Sequence, residues 1–264
     1  MRIILLSFVA VLNSCTTLEA FRGPASKEVV VCPSETRRTV APDFVPKDKT
    51  KIKVAFFDAD STLRISKIEK SVTATKEDDV LLLPHMSQAL RKLEQENYLI
   101  YIVSNQGGVS TQKTSCAIAE KALQYTMEQI KKDNGVIHGY DFAENYDDSR
   151  KPSIGMALKL ELVLKYIYGN EAAIDKANSI MVGDSAFQKG VDYKKLDANG
   201  NWIEAISKEE GAVEGTHHTN SDRLFAKNYG IQFYEAAVFF GWRKNGIDVF
   251  ESAQQLDDYL KSYP

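Results

Sequence analysis

Short apolar runs alternate with helical patterns along this chain, and that alternation restricts the possible folds more than any other feature. The runs are largely apolar without a break, as strands covered on both faces are. They lie at Lys53–Phe57, Leu99–Val103 and Ser179–Val182. The helical patterns lie at Pro84–Asn97, Gln112–Asp133, Pro152–Tyr168, Ser221–Tyr229 and Glu251–Leu260. This order predicts an α/β fold with a parallel sheet and helices on both of its faces.

Chemically reactive side chains stand directly after these strands. Asp58 and Asp60 follow the first strand, Ser104 the second and Asp184 the third. The carboxyl ends of parallel strands meet at one edge of the sheet, where open α/β folds bind ligands. Lys151 precedes a proline that favours an extended backbone, and from there it can reach the same cleft. Carboxylates, a hydroxyl and a lysine together are suited to phosphoryl transfer.

Each of these segments also has an ordinary structural explanation. Asp58 and Asp60 could form a solvated turn, Ser104 could belong to a common strand-to-helix turn, and most lysines are simply solvated. Two adjacent carboxylates, however, repel each other unless a cation lies between them, and hard oxygen ligands favour Mg²⁺. The combination of segments in this order therefore favours a metal-assisted site.

The haloacid dehalogenase (HAD) superfamily of phosphatases has four motifs, and this chain resembles them in order at Asp58–Thr62, Ser104–Gln106, Lys151–Pro152 and Gly183–Asp184. Two longer stretches, residues 150–156 and 221–230, resemble the polynucleotide 3′-phosphatase branch of that superfamily. The resemblance covers roughly residues 51–241. It implies a Rossmann-like, HAD-type parallel sheet with a small flap and one long insertion that acts as a cap.

The resemblance implies a catalytic role for four residues. Asp58 would be the nucleophile and would form an aspartyl-phosphate that water later hydrolyses. Asp60 would act as general acid and then as general base. Ser104 and Lys151 would hold the oxygens of the transferring phosphoryl group.

The same resemblance implies a Mg²⁺ site. Its ligands would be the carboxylates of Asp58 and Asp184 and the backbone carbonyl of Asp60. Asp222 matches the second acid of the fourth motif and would bind the metal or support a ligand. Ser61 departs from the glycine that is common at its position.

Two segments are expected to cover the cleft and select the substrate. One is a flap at Leu63–Asp79, which includes Arg64, and the other is the insertion Ser185–Asn220. Solvated loops with incidental charges would explain both segments equally well, and His217 with His218 lacks a third metal ligand at suitable spacing. The candidate substrate-binding residues are Ser61, Thr62, Asn105, Lys67, Lys70, Lys194 and Trp202.

The amino terminus resembles a bacterial lipoprotein signal. A basic Met1-Arg2 precedes the apolar stretch Ile3–Leu12, which is too short to span a bilayer, and Cys15 would be lipidated after cleavage. The alternative is a secretory signal cleaved near Ala20. We therefore expect a signal peptide at residues 1–15, a tether at 16–50 and the phosphatase domain at 51–264, exported to the cell envelope or periplasm and lipid-anchored.

Two further cysteines, Cys32 and Cys116, remain after Cys15. Export to an oxidising compartment would permit a disulfide between them. The sequence gives no sign that they lie close together, so two unpaired buried thiols are expected.

The charge balance restricts the substrate. The formal net charge is −3 and the isoelectric point is about 5.9, whereas proteins that coat nucleic acid are usually basic. An enzyme that takes only a terminus needs few phosphate contacts. The expected function is Mg²⁺-dependent hydrolysis of phosphomonoesters, on 3′-phosphate ends of nucleic acid or on nucleotides. The alternatives are a small-molecule phosphatase for sugars or nucleotides and a catalytically silent surface module. No protein partner is inferred.

Overall fold

The computed structural model describes residues 29–33, 36–66, 79–185, 193–196, 202–204, 213–214, 220–244 and 247–248. Its strands are β1 Lys53–Phe57, β2 Arg64–Ser66, β3 Val80–Leu82, β4 Tyr98–Asn105, β5 Gly139–Ala143, β6 Ile180–Gly183, β7 Tyr193–Leu196, β8 Trp202–Glu204, β9 Val213–Glu214, β10 Gln232–Glu235, β11 Arg243–Lys244 and β12 Ile247–Asp248. Its α-helices are α1 Met86–Gln95, α2 Cys116–Lys132, α3 Gly155–Tyr168, α4 Ser221–Tyr229 and α5 Ala236–Phe239.

The main sheet has five strands in the order β10-β6-β1-β4-β5, and every pair in it is parallel. Strand β1 is central, with Phe57 opposite Ile102 of β4 on one side and opposite Val182 of β6 on the other. The residues that follow these strands are therefore brought to one edge of the sheet. This confirms the predicted parallel α/β architecture.

Helices cover both faces of the sheet because side chains of β1 alternate in direction. Ala55 and Phe57 point into a core shared with Leu90 of α1 and Leu123 of α2. On the opposite face, Val54 and Phe56 pack with residues of α3 and α4, among them Leu160 and Phe225. Two apolar layers thus hold the sheet rigid around its central strand.

The four helix predictions that fall on described residues are confirmed, with shifts at their boundaries. The predicted helix at residues 112–133 begins only at Cys116, because Ser115 caps it by accepting a hydrogen bond from the Ile118 N–H at 3.3 Å. Among the described residues, no helix combines the length and the apolarity needed to cross a bilayer. The predicted helix Glu251–Leu260 lies outside the described residues.

Both segments expected to cover the cleft contain antiparallel strands. Strand β2, at the start of the predicted flap, pairs with β3, which directly follows the flap, and Arg64 lies opposite Leu82. Within the insertion, β7 lies between β8 and β9 in a three-stranded sheet. The described part of the insertion is therefore a small sheet and not a simple loop.

The segment before β1 is not a free tether along its whole length. Arg37 is buried and its Nε and Nη2 lie 2.6 Å from Asp141 Oδ1 and from Glu144 Oε2, respectively. Phe44 is buried in the core on the α3 side of the sheet. Residues 36–50 therefore form a strap that packs on the domain.

The expectation of free thiols is wrong, because Cys32 and Cys116 form a disulfide with their Cα atoms 5.3 Å apart. The disulfide joins Cys32, which precedes the strap, to the start of α2 across a sequence separation of 84 residues. Val30 exchanges two hydrogen bonds with the Asn145 side chain, at 3.1 and 2.7 Å.

Candidate active site

Three carboxylates converge at the carboxyl edge of the main sheet. Asp58 follows β1, Asp184 follows β6, and Asp222 lies in the first turn of α4. One carboxylate oxygen from each lies within 4.8 Å of the others. Asp58 and Asp222 are buried and Asp184 is half-buried. The arrangement brings together the residues that the strand ends predicted.

Lys151 lies inside this cluster and is only 2% exposed. Its Nζ is 2.5 Å from Asp58 Oδ1 and 2.7 Å from Asp222 Oδ1. Burial by itself disfavours the ammonium charge, but Asp222 and Asp58 outweigh that effect and raise the pKa of Lys151 above its usual value. Lys151 is therefore a fixed positive charge at the site.

Three carboxylates lie around a single lysine, and the excess negative charge acts on Asp58. Burial raises the pKa of Asp58, Lys151 lowers it, and Asp222 and Asp184 raise it further, so that it lies well above its usual value. A divalent cation would reverse this effect. Three convergent carboxylates are hard oxygen donors, and this donor set fits Mg²⁺.

Asn105 holds Lys151 in place through its backbone. The Asn105 Nδ2 donates to the Lys151 carbonyl, and the Lys151 N–H donates to Asn105 Oδ1, both at 2.9 Å. Both polar atoms of the amide are thus engaged. The structure gives Asn105 a positioning contact, where the sequence predicted contact with substrate.

Asp60 is held from two sides. Its Oδ1 accepts a hydrogen bond from Arg64 Nε at 2.9 Å, and its Oδ2 accepts one from Gln106 Nε2 at 3.0 Å. Gln106 Nε2 also donates to Ser104 Oγ at 2.9 Å. Sequence reasoning missed Gln106, although it stands directly after Ser104-Asn105 in the second motif. It connects the predicted acid/base with the predicted phosphate-binding hydroxyl.

Ser61 and Thr62 were both predicted to contact substrate, and they differ in their exposure to solvent. Ser61 is half-buried with φ 60°, a left-handed conformation that favours glycine and explains why glycine is common there. Thr62 is fully buried. The predicted contact of Thr62 with substrate stays a prediction.

For two further residues that were predicted to bind substrate, the structure describes the position in a strand. Lys194 lies in β7 opposite Glu204, and Trp202 lies in β8 opposite Leu196. Lys67, Lys70 and Cys15 lie outside the described residues, as do His217 and His218.

An aromatic and a cationic side chain beside the site were not predicted. The Arg150 guanidinium lies 4.3 Å from the centroid of the Tyr146 ring, and Tyr146 is 70% exposed. A side chain at Gly107 would come within 2.9 Å of Arg150 Nη1 and 3.0 Å of Tyr146 Oη. Gly107 follows Gln106 and Arg150 precedes Lys151, so each is a chain neighbour of a residue at the site. The signal for Arg150 was its place in the third motif.

Comparison with known proteins identifies a family whose model matches most of this chain. The model of a family described as polynucleotide kinase 3 phosphatase matches residues 53–240. An uncharacterised 20.8 kDa protein of Autographa californica nuclear polyhedrosis virus is 30% identical over 187 residues, which cover 71% of this chain and 85% of that protein.

Two other relatives carry functional names. A putative bifunctional polynucleotide phosphatase/kinase of Acanthamoeba polyphaga mimivirus is 28% identical over 76% of this chain and 44% of its own length. A D-glycero-beta-D-manno-heptose-1,7-bisphosphate 7-phosphatase of Haemophilus ducreyi is 28% identical over 60% of this chain and 90% of its own length. Both names refer to phosphate removal.

Proposed function

Because the chain belongs to the polynucleotide kinase 3 phosphatase family, and is therefore a HAD-type phosphatase, we propose that it removes 3′-phosphates from nucleic-acid ends or nucleotides. The proposed reaction depends on Mg²⁺ and passes through an aspartyl-phosphate. Family membership counts against the alternative of a catalytically silent surface module.

The observation that carries the proposed chemistry is the position of Asp58 beside Lys151 and within a cluster with two further carboxylates. In the first step, a carboxylate oxygen of Asp58 forms a bond to phosphorus while the bond from phosphorus to the leaving oxygen breaks. Lys151 and the Ser104 hydroxyl bind oxygens of the phosphoryl group. Fixed donors of this kind stabilise charge that spreads over those oxygens in the transition state.

Asp60 handles the proton in both steps. It donates a proton to the leaving oxygen as the first bond breaks. It then takes a proton from water as the water oxygen bonds to phosphorus and the bond between phosphorus and Asp58 breaks. The carboxylate of Asp58 and the proton on Asp60 are thereby restored.

Asp58, Asp184 and Asp222 would hold the Mg²⁺, together with the backbone carbonyl of Asp60. When bound, the ion would offset the negative charge of the phosphoryl group and of the carboxylates around it. Lys151 already occupies the side of the cluster between Asp58 and Asp222.

We assign the polynucleotide end of the substrate to the neighbourhood of Tyr146 and Arg150. An exposed aromatic ring is a face on which a base stacks, and a guanidinium beside it can bind a backbone phosphate. The mimivirus relative, named a putative polynucleotide phosphatase/kinase, supports this substrate class. The predicted contacts of Lys67, Lys70, Lys194 and Trp202 belong to the same proposal.

The test is a comparison of substrates with Mg²⁺ and with a chelator. We expect a 3′-phosphorylated oligonucleotide to have a higher kcat/KM than its 5′-phosphorylated counterpart or a sugar bisphosphate. Tyr146→Ala should raise KM for the oligonucleotide by about tenfold, since stacking of one base contributes about 1–3 kcal/mol. Hydrolysis of a small aryl phosphate should change little in that variant. Equal rates on both oligonucleotides would contradict the assignment.

A second candidate function is hydrolysis of a sugar phosphate. The observation that favours it is the match to the Haemophilus ducreyi heptose bisphosphate phosphatase, which extends over 90% of that protein. A sugar bisphosphate with the highest kcat/KM of the panel would establish this function instead.

The export and lipidation predicted from the sequence remain proposals. The Cys32–Cys116 disulfide supports an oxidising compartment, since such bonds rarely persist in the cytosol. We expect Cys15→Ser to abolish incorporation of a labelled fatty acid and to release the protein from membranes. Retention of the variant on membranes would contradict the lipid anchor.

A further inference from the structure

Arg64 is a fully buried arginine at the start of β2, within six residues of the proposed nucleophile. A buried guanidinium is costly unless a carboxylate and further acceptors satisfy it. Its Nε donates to Asp60 Oδ1 and its Nη1 donates to Thr126 Oγ1, both at 2.9 Å. The sequence predicted only that Arg64 belongs to a flap over the cleft, and its complete burial requires a further explanation.

The backbone turn after β1 fixes where Arg64 stands. The Arg64 N–H donates to the Ala59 carbonyl at 3.1 Å, and the Ser61 N–H donates to the Arg64 carbonyl at 2.7 Å. Asp60 and Arg64 also form an isolated parallel bridge. The left-handed Ser61 reverses the chain between them. The side chain of Arg64 is therefore directed against the Asp60 carboxylate by main-chain geometry.

The far side of the guanidinium is bound to helix α2. Thr126 is fully buried, and its hydroxyl donates to the Ala122 carbonyl at 2.7 Å. A hydroxyl has one hydrogen and two lone pairs, so Oγ1 remains free to accept from Arg64 Nη1. Helix α2 packs on the main sheet through Leu123 and Ile130. Arg64 thus connects Asp60 to a rigid element of the core.

The two oxygens of Asp60 consequently differ. Oδ1 is held by a fully buried cation, whereas Oδ2 is bonded to Gln106, whose Nε2 also reaches Ser104. Ser104 belongs to the proposed phosphate-binding group. Oδ2 is therefore the oxygen on the side of the proposed phosphate-binding hydroxyl.

We propose that Arg64 is the positioning residue of Asp60, and that by holding Oδ1 it leaves Oδ2 to exchange the proton with the leaving oxygen. This inference rests on the proposed function, in which Asp60 is the acid and base. A carboxylate free to rotate would present either oxygen and several orientations. Fixing one orientation preserves the geometry that proton transfer needs.

The test uses two phosphate monoesters whose leaving groups need a proton to different degrees. An alkyl phosphate leaves poorly without protonation, and 2,4-dinitrophenyl phosphate leaves well. We expect Arg64→Met to lower kcat/KM for the alkyl phosphate by about 100-fold, the lower range for general acid catalysis, and for the dinitrophenyl ester by less than about fivefold. A merely structural arginine would lower both values by one factor, and that outcome would overturn the inference.

Arg37→Met is the matched control. Arg37 is also a buried arginine in short salt bridges, but it binds Asp141 of the edge strand β5. Its loss should lower the melting temperature and leave the ratio of the two kcat/KM values unchanged. A changed ratio in this control would overturn the inference, because destabilisation alone would then produce the effect.

Thr126→Val tests the same contact if Arg64→Met fails to fold. It removes only the hydroxyl that holds Nη1, so the alkyl phosphate should again lose more than the dinitrophenyl ester, and Thr126→Ser should restore the ratio. Equal losses in kcat/KM for the two esters would overturn this inference and leave the proposed function standing. A wild-type enzyme that hydrolyses neither ester would overturn the proposed function and this inference with it.

Discussion

At the scale of single residues, the surroundings of the Asp58 carboxylate disfavour its negative charge. Burial and the carboxylates of Asp222 and Asp184 raise its pKa. We expect Asp58→Asn to lower kcat by a factor of about 10⁴ or more, as for other removed nucleophiles. Because the amide is nearly isosteric and uncharged, the melting temperature without Mg²⁺ should not fall. Thermal unfolding of both proteins checks this, and a large decrease would show that the Lys151–Asp58 ion pair dominates.

Asp184 belongs to the proposed Mg²⁺ ligands, and its contribution can be measured without turnover. Mg²⁺ should raise the melting temperature of the wild type, since a ligand at 100 times its Kd stabilises the folded state by about 2.7 kcal/mol. Asp184→Asn should reduce that increase strongly. The exposed Asp148, changed to Asn, is the control and should leave it intact. A similar reduction in both variants would argue against a site at Asp184.

The sequence predicts some of these residues and not others, for a physical reason. Asp58 and Asp184 follow strands of the main sheet and Ser104 lies near the carboxyl end of β4, so topology alone brings them together. Asn105 and Thr62 depend on which way a turn directs each side chain, and that direction emerges only from the folded backbone. The contacts of Arg64 depend on a partner in α2 that is 62 residues away.

At the scale of elements, His138 is the residue that precedes β5, and its side chain is hydrogen-bonded to β4. Its Nδ1 accepts a hydrogen bond from the Ile100 N–H at 2.9 Å. Burial lowers the pKa of His138 below its ordinary value of 6.5. Below about pH 6.5 the unfolded chain therefore binds a proton that the folded protein excludes, and stability decreases as the pH falls.

We expect His138→Asn, which removes this titration, to flatten the decrease in unfolding free energy between pH 7 and about pH 5. Urea unfolding at several pH values measures it. The exposed His85, changed to Asn, serves as the control because its imidazole is not enclosed by the core. Equal pH profiles for the wild type and His138→Asn would exclude His138 as the cause.

Two strands of the main sheet that the sequence did not predict, β5 and β10, have polar content. Strand β5 contains Asp141, which is fully buried because Arg37 and Arg38 bind it. A carboxylate in the middle of a strand makes its sequence resemble a surface segment. Strand β10, at the opposite edge of the main sheet, is only half-buried and lacks the continuous apolar pattern of β1.

At the scale of the whole molecule, the Cys32–Cys116 disulfide closes a long loop around the first half of the fold. A cross-link of this span restricts the unfolded chain and stabilises the protein by up to about 4–5 kcal/mol. We expect the double variant Cys32→Ser with Cys116→Ser to melt at a lower temperature. Reductant should lower the melting temperature of the wild type to that of the double variant, and it should leave the melting temperature of the variant unchanged. No effect of reductant on the wild type would contradict the disulfide.

The strap and its cross-link could not be predicted for the same reason as the Arg64 contacts. Local pattern shows neither that residues 36–50 pack on β5 nor that Cys32 reaches α2, since both depend on partners far away in the chain. The parallel sheet was predictable because it repeats a local pattern.

The disulfide also determines how the protein would carry a mechanical load. Tension applied between a point before Cys32 and the carboxyl-terminal end passes from Cys32 across the sulfur bridge to Cys116. Residues 33–115 lie in the bypassed loop and bear none of that tension directly. This loop contains β1 and β4, with Asp58, Asp60 and Ser104. An enzyme pulled by its amino terminus would stretch elsewhere before its nucleophile moved.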